Sequence, residues 1–193
     1  PFLRTTGVPF VVNIWGTSEE EYAEVARRLS EVEGVSGLEL NISCPNVKEG
    51  GNAFGTDPRA VASLVAAVRR ATRLPLMPKL APNVPDIKLF VRAAQEAGAD
   101  ALALINTLPA MVIDIETRRP VLANKVGVLS GPAIHPVAVK LVWEAAQVAR
   151  VPLLAMGGIV GPEEAIEFLI AGASAVAVGT ANFIDPTTSL RVL

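Results

Sequence analysis

Short, almost wholly apolar runs alternate along this chain with longer segments in which apolar residues recur every three or four positions. Residues 9–14, 37–43, 76–80, 101–105, 151–156 and 175–178 are the apolar runs, and each is read as a strand. After Gly16, Ser18 and Glu21 make a capping-box pattern ahead of Tyr22, Val25, Ala26 and Leu29 at helical spacing. Asp57 and Pro58 open a second helix with the apolar face Val61, Leu64, Val65 and Val68. Ile87, Phe90, Val91 and Ala94 give a third, which stops at Gly98, and residues 136–149 give a fourth. Gly161 and Pro162 start a fifth, carrying Ala165, Ile166 and Leu169 and closed by Gly172. Gly50, Gly51 and Gly55 predict a flexible loop after the second strand. Residues 106–134 carry no helical period, and the turn near Arg118 to Pro120 suggests a small hairpin; loops of that length are usually functional.

Six strands in strict alternation with at least five helices, the strands apolar on both faces, predict an α/β fold on a parallel sheet. A doubly wound open sheet and a (β/α)8 TIM barrel both fit. Polar or glycine residues stand at the C-terminal end of nearly every strand: Asn13, Asn41, Lys79, Asn106, Gly157 and Gly179. Both architectures build their sites there. Glycine-rich ends on the last two strands match the barrel's phosphate site, made after strands 7 and 8. The favoured fold is therefore a barrel with strands 3–8 present and the first two βα units missing. Those units would add about 60 to 90 residues, at roughly 30 or more each. Pro1 in place of an initiator methionine agrees with a single barrel domain, residues 1–193, that is incomplete at its N-terminus. No signal peptide is recognisable.

The remaining composition narrows the chemistry. A net charge of −2 with scattered Lys and Arg offers no basic stripe, so nucleic acid is not an expected partner. No run of about 18 apolar residues supports a membrane span. The single cysteine cannot form an internal disulfide and suits a reducing, cytoplasmic compartment. With one histidine, His135, beside it, too few ligands remain for an ordinary zinc site, and no metal is expected.

Residues 40–46 read LNISCPN and hold that cysteine, Cys44, between Ser43 and Pro45, with Asn41 and Asn46 on either side. A lone cysteine is most often a small buried hydrophobe. At a strand end among carboxamides, the thiol suits a nucleophile or a general base. His135 begins a helix, which makes a cysteine–histidine dyad the poorer choice. Lys79 interrupts the apolar run LMPKLA, and a buried ammonium needs an anion, a ligand or a partner carboxylate; a Schiff-base lysine is the rival role. Asn13, Asn41 and Asn106 could each be turn residues. Together, with Thr107 beside the last, they suggest recognition of a planar heterocycle with amide-like edges. Gly157-Gly158 and Gly179-Thr180 are either tight turns or backbone cradles for a phosphate.

ELNISCPN with EGGNAFGTDP, PKLAPNVPDI, LINTLPAMVID, LSGPAIHPVAVK and MGGIVGPEEAIEFLIAGASAVAVGTANF together cover nearly the whole chain. In that order they closely resemble the FMN-dependent class 1 dihydroorotate dehydrogenases, most of all the class 1B catalytic subunit. The resemblance implies an FMN barrel that oxidises dihydroorotate to orotate in pyrimidine biosynthesis. It implies Cys44 as the base that removes the C5 proton while hydride leaves C6, and Lys79 beside the flavin N1 and C2 oxygen. It gives Asn13 and Ile105 as flavin contacts, Asn41 as a contact to flavin and substrate, and Asn46, Asn106 and Thr107 as substrate contacts. Gly131, Gly157, Gly158, Gly179 and Thr180 match the flavin and phosphate loops. A homodimer and an electron-transfer subunit carrying FAD and a 2Fe–2S cluster, passing electrons to NAD, are the implied partners; one cysteine could not ligate that cluster here.

Cysteine in SCPN argues against the membrane-associated class 2 enzymes. A class 1A, fumarate-linked enzyme and a related pyrimidine-reducing flavin barrel are the alternatives within the family; an aldolase using Lys79, or a non-enzymatic binding module, lies outside it. Ala110 and Val128 depart from positions where glycine is common, which bears on local loop geometry. The missing βα units carry another substrate lysine and further flavin contacts, so the chain by itself is expected to be inactive.

Overall fold

The structure, a computed structural model, describes residues 2–42 and 51–193. A one-turn helix α1 (Phe2–Thr5) precedes β1 (Phe10–Ile14), α2 (Glu19–Ser30) and β2 (Val35–Asn41). Then come α3 (Gly51–Thr56), α4 (Pro58–Ala71), β3 (Leu76–Leu80), α5 (Ile87–Glu96) and β4 (Leu102–Leu104). The long connection that follows is a nested hairpin of β5 (Leu108–Ala110), β6 (Ile113–Asp114), β7 (Arg119–Pro120) and β8 (Gly127–Leu129), with β5 on β8 and β6 on β7. A 3-10 turn (Pro132–Ile134) enters α6 (His135–Ala146), and β9 (Leu153–Met156), α7 (Pro162–Ile170), β10 (Ala175–Ala177), α8 (Ala181–Ile184) and α9 (Thr188–Val192) complete the order.

The six principal strands form one parallel sheet in the order β1-β2-β3-β4-β9-β10. Each strand lies beside the one before it in the chain. A doubly wound sheet would reverse this order at a switch point, and no reversal occurs. The helices α2, α4, α5, α6 and α7 pack each against the next, as one outer layer. A sheet wound in one sense under one helical layer is a curled half-barrel of the α/β class.

Side chains alternate across this sheet, and the two faces differ in chemistry. Leu38, Leu40, Leu76, Leu80, Leu102, Leu104, Leu153 and Ala155 point outward and are buried under the helices. Tyr22, Val61, Leu64, Val65, Phe90, Val91 and Phe168 meet them from the helical layer. Fully burying an aliphatic or Phe side chain of this size contributes about 1.5–3 kcal/mol relative to leaving it exposed. The concave face carries Asn13, Glu39, Asn41 and Lys79, set side by side by the register Asn13↔Glu39 and Asn41↔Lys79.

Local signals set the helix ends. Ser18 Oγ accepts from Glu21 N at 3.3 Å, while the Glu21 carboxylate reaches one residue past the cap to Thr17, accepting from its N–H and hydroxyl at 2.7 Å each. Asp57 and Asp86 cap α4 and α5 through the N–H groups of Arg59 and Lys88. Gly161 begins α7, and Glu164 accepts from its N–H at 2.9 Å.

Several boundaries differ from the sequence reading. The second strand starts at Val35 rather than residue 37 and pairs only to Asn41. Residues 51–56, expected to be a loop, are helical, and the Phe54 ring packs edge-on against Tyr22 at 6.2 Å. Packing of Phe54 against the core and of this turn on α4 outweighs its glycines. The first strand is an edge with a neighbour on one side only, so Val11 is half exposed. Ala110 and Val128 both sit in the β5–β8 ladder, an extended geometry that needs no glycine.

Tyr22 ties the helical layer to the functional end of the sheet: its side chain is fully buried, and its hydroxyl donates to the Asn41 carbonyl at 2.7 Å. Tyr22→Phe leaves that carbonyl without this donor. A loss of about 1–3 kcal/mol in unfolding free energy is expected, read from urea denaturation; an unchanged midpoint would show the bond to be dispensable.

Candidate functional site

At the C-terminal ends of the strands lies a cleft of about 330 Å³. Parallel α/β sheets place their sites at this end because strand twist and the following loops open a hollow there. One wall is Glu39, Lys79, Ile105, Asn106 and Thr107; the other is Ser130, Gly131, Gly157, Gly158, Gly179 and Thr180. Leu154, Met156 and Ala177, on the concave face of β9 and β10, form an apolar floor.

Two polar chains cross the first wall. Asn13 donates through Nδ2 to Glu39 Oε1, and Glu39 Oε1 lies 3.5 Å from Lys79 Nζ. Asn106 donates through Nδ2 to Asn41 Oδ1 at 2.9 Å, and its own Oδ1 accepts from the Thr107 N–H at 2.8 Å. The first chain presents a cation with its counter-charge; the second fixes which face of each amide points where.

The second wall is built from close backbone packing. Gly158 has φ +73°, and a Cβ there would stand 2.8 Å from His135 Cβ and 2.9 Å from the Gly131 carbonyl oxygen. His135 stands behind the turn, with Nδ1 2.9 Å from the Gly157 carbonyl oxygen and Nε2 2.9 Å from Glu167 Oε2. A carbonyl and a carboxylate both accept, so both contacts are satisfied when each ring nitrogen carries hydrogen. The ring edge also meets Phe168 at 4.9 Å. Thr180 Oγ1 donates to Ser130 Oγ at 2.9 Å, joining the loop after β10 to the segment before the 3-10 turn.

Lys79, Ile105, Asn106, Thr107, Gly131, Gly157, Gly158, Gly179 and Thr180, all named from the sequence, thus line one cleft. Asn13 and Asn41 are one hydrogen bond removed, through Glu39 and Asn106. Cys44 and Asn46 lie outside the described residues. The sequence reading missed Glu39, Ser130 and the positioning contacts of His135. Glu39 had a usable signal: it interrupts an apolar strand as Lys79 does, two residues before Asn41 and therefore on the same face. Among the described residues, no group of three His, Cys, Asp or Glu is placed to hold a metal ion, and no helix is long and apolar enough to cross a membrane.

Comparison with known proteins gives a consistent result. The family pattern described as dihydroorotate dehydrogenase matches residues 3–193. The dihydroorotate dehydrogenase B (NAD(+)) catalytic subunit of Pelobacter propionicus is 55% identical over 192 residues, 100% of this chain and 63% of that protein. The protein of the same name from Geobacter metallireducens is 54% identical with the same coverage. Both names include a catalytic subunit, and the chain spans 63% of the length of these curated relatives. Among solved structures, the dihydroorotate dehydrogenase of Eimeria tenella, crystallised with ferulenol, superposes with a TM-score of 0.75 at 25% identity, over 90% of this chain and 52% of that one.

Proposed function

The chain belongs to the dihydroorotate dehydrogenase family, and on that premise we propose that the protein is a class 1B catalytic subunit that oxidises (S)-dihydroorotate to orotate in pyrimidine biosynthesis. The observation that carries this reading is the single cleft bringing Lys79, Asn106 and Thr107 opposite Gly131, Gly157, Gly158, Gly179 and Thr180. The six strands are then the third to eighth of a TIM barrel formed as one domain.

The residues present suit FMN. Lys79 supplies a cation for the electron-rich edge of an isoalloxazine, and the apolar floor of Leu154, Met156 and Ala177 suits its ring system. Gly179 borders the cleft where a Cβ would meet nothing within 4 Å, which leaves room for a phosphate close to backbone. Asn13, Asn41, Lys79, Ile105, Gly131, Gly157, Gly158, Gly179 and Thr180 are assigned to the cofactor, and Asn41, Asn46, Asn106 and Thr107 to the substrate. When bound, FMN supplies the acceptor for the hydride that leaves C6 of dihydroorotate. Cys44 takes the proton from C5, and the Asn41–Asn106 pair orients the pyrimidine through its amide edges. The contact of Lys79 Nζ with Glu39 Oε1 at 3.5 Å suits an electrostatic role for this lysine better than a Schiff-base one. A cytoplasmic homodimer and a partner carrying FAD and a 2Fe–2S cluster, leading to NAD, complete the proposal.

The test is anaerobic mixing of dihydroorotate with the full-length, flavin-loaded protein while the oxidised-flavin absorbance is followed. Rapid bleaching is expected. A protein that purifies without flavin, or a flavin indifferent to dihydroorotate, would overturn the assignment and favour the aldolase chemistry of Lys79.

A further inference from the structure

Glu39 lines the same wall as Lys79, and its side chain is only 12% exposed. It is held from two sides, by the Asn13 amide and by the Lys79 ammonium at 3.5 Å. A carboxylate this buried persists because it is both hydrogen-bonded and paired. The register places Asn13, Glu39 and Lys79 on three adjacent strands, so this arrangement is built into the sheet rather than into a loop.

A carboxylate sharing its ammonium with a bound ligand has two effects. It fixes where the ammonium sits, and it offsets the positive charge the ligand feels. A flavin gains negative charge on two-electron reduction, so a neighbouring carboxylate disfavours that state while Lys79 favours it. We infer that Glu39 is a further residue of the cofactor site: it positions Lys79 and holds the bound flavin harder to reduce than Lys79 alone would. This inference rests on the flavin reading of the cleft. It acts on the flavin's potential and requires no new bond to the substrate.

Sulfite is the probe, because it adds to N5 of oxidised flavin and leaves a negative charge on the ring system. In the flavin-loaded, full-length protein, Glu39→Gln is expected to tighten sulfite binding at least about tenfold, the scale of one charge a few ångströms away. The two-electron midpoint potential should rise in step, by about 30 mV for each tenfold change. Glu39→Asp keeps the charge but draws it back from Lys79, and should move both readouts the same way by less; it carries the test if the Gln variant loses flavin or fails to fold. Unchanged or weaker sulfite binding in the variants, in a protein that dihydroorotate still bleaches, would sink the role of Glu39 alone. A protein that dihydroorotate does not bleach would remove the flavin reading and this inference together.

Discussion

Cys44→Ala is expected to slow reduction of the bound flavin by dihydroorotate about a hundred- to ten-thousandfold, the usual contribution of a positioned general base. The C5–H bond is to carbon, and its proton does not leave for water at a useful rate without a base at hand. Binding should persist, because the substitution leaves the Asn41–Asn106 pair and Thr107, the residues assigned to the substrate, in place. Orotate should therefore still perturb the flavin spectrum of the variant at concentrations close to those needed for the wild type. The thiolate and not the thiol is the base, so the wild-type rate should climb with pH as thiolate forms, and the Ala variant should lose that climb. Ser at this position is a far weaker acid, and should give a slow enzyme whose rate is still rising at the top of the accessible pH range. Stopped-flow absorbance gives rate and pH profile in one series. An Ala variant that bleaches as fast as the wild type would remove Cys44 from the chemistry and return it to the class of ordinary small hydrophobes.

The architecture was legible because its strands are short apolar runs separated by helical periods, a pattern few folds share. Leu76–Leu80 was read to the residue, since proline-bounded segments flank it on both sides. Val35–Asn41 was misplaced by two residues because Val35 and Ser36 precede Gly37, and a glycine in a strand reads as a boundary. The one-turn helices at 51–56, 181–184 and 188–192 carry too few residues to show a period, and tertiary contact decides them. The lining of the candidate cleft was legible at Lys79, Asn106, Gly157 and Gly179, where a polar or glycine residue ends a strand. It was illegible where the cleft depends on registration across the sheet. Glu39 gains its meaning from Asn13 and Lys79, residues 26 positions before it and 40 after it, and only pairing brings them together. His135 was read as a helix start, which it is; its hold on the Gly157 carbonyl comes from α7 presenting Glu167 and Phe168 behind it.

Two glycines of the same cleft wall should respond to the same substitution in opposite ways. At Gly158, φ is +73°, a conformation L residues rarely adopt, and a methyl group would press on His135 Cβ at 2.8 Å, the Gly131 oxygen at 2.9 Å and His135 N at 3.1 Å. None of these is the free end of a flexible side chain, so the contact is relieved only by moving the turn, Gly131 or the start of α6. Gly158→Ala should therefore cost about 2–4 kcal/mol, combining backbone strain with overpacking, and lower Tm by roughly 5–15 °C for a domain of this size. It should also weaken flavin binding, because the parts that must move form the cleft wall. At Gly179 the backbone is not left-handed, and a Cβ would meet nothing within 4 Å. Gly179→Ala should leave the Tm of the flavin-free protein unchanged, yet place a methyl group where the phosphate is proposed to approach the backbone. A flavin affinity lower by roughly tenfold, equivalent to about 1.4 kcal/mol, is the expected result. Thermal denaturation with and without added FMN, together with fluorescence titration of the flavin, separates the two. A stable Gly158→Ala protein would mean that the turn yields more easily than its contacts imply. A Gly179→Ala protein that holds FMN as well as the wild type would place the phosphate away from the end of β10.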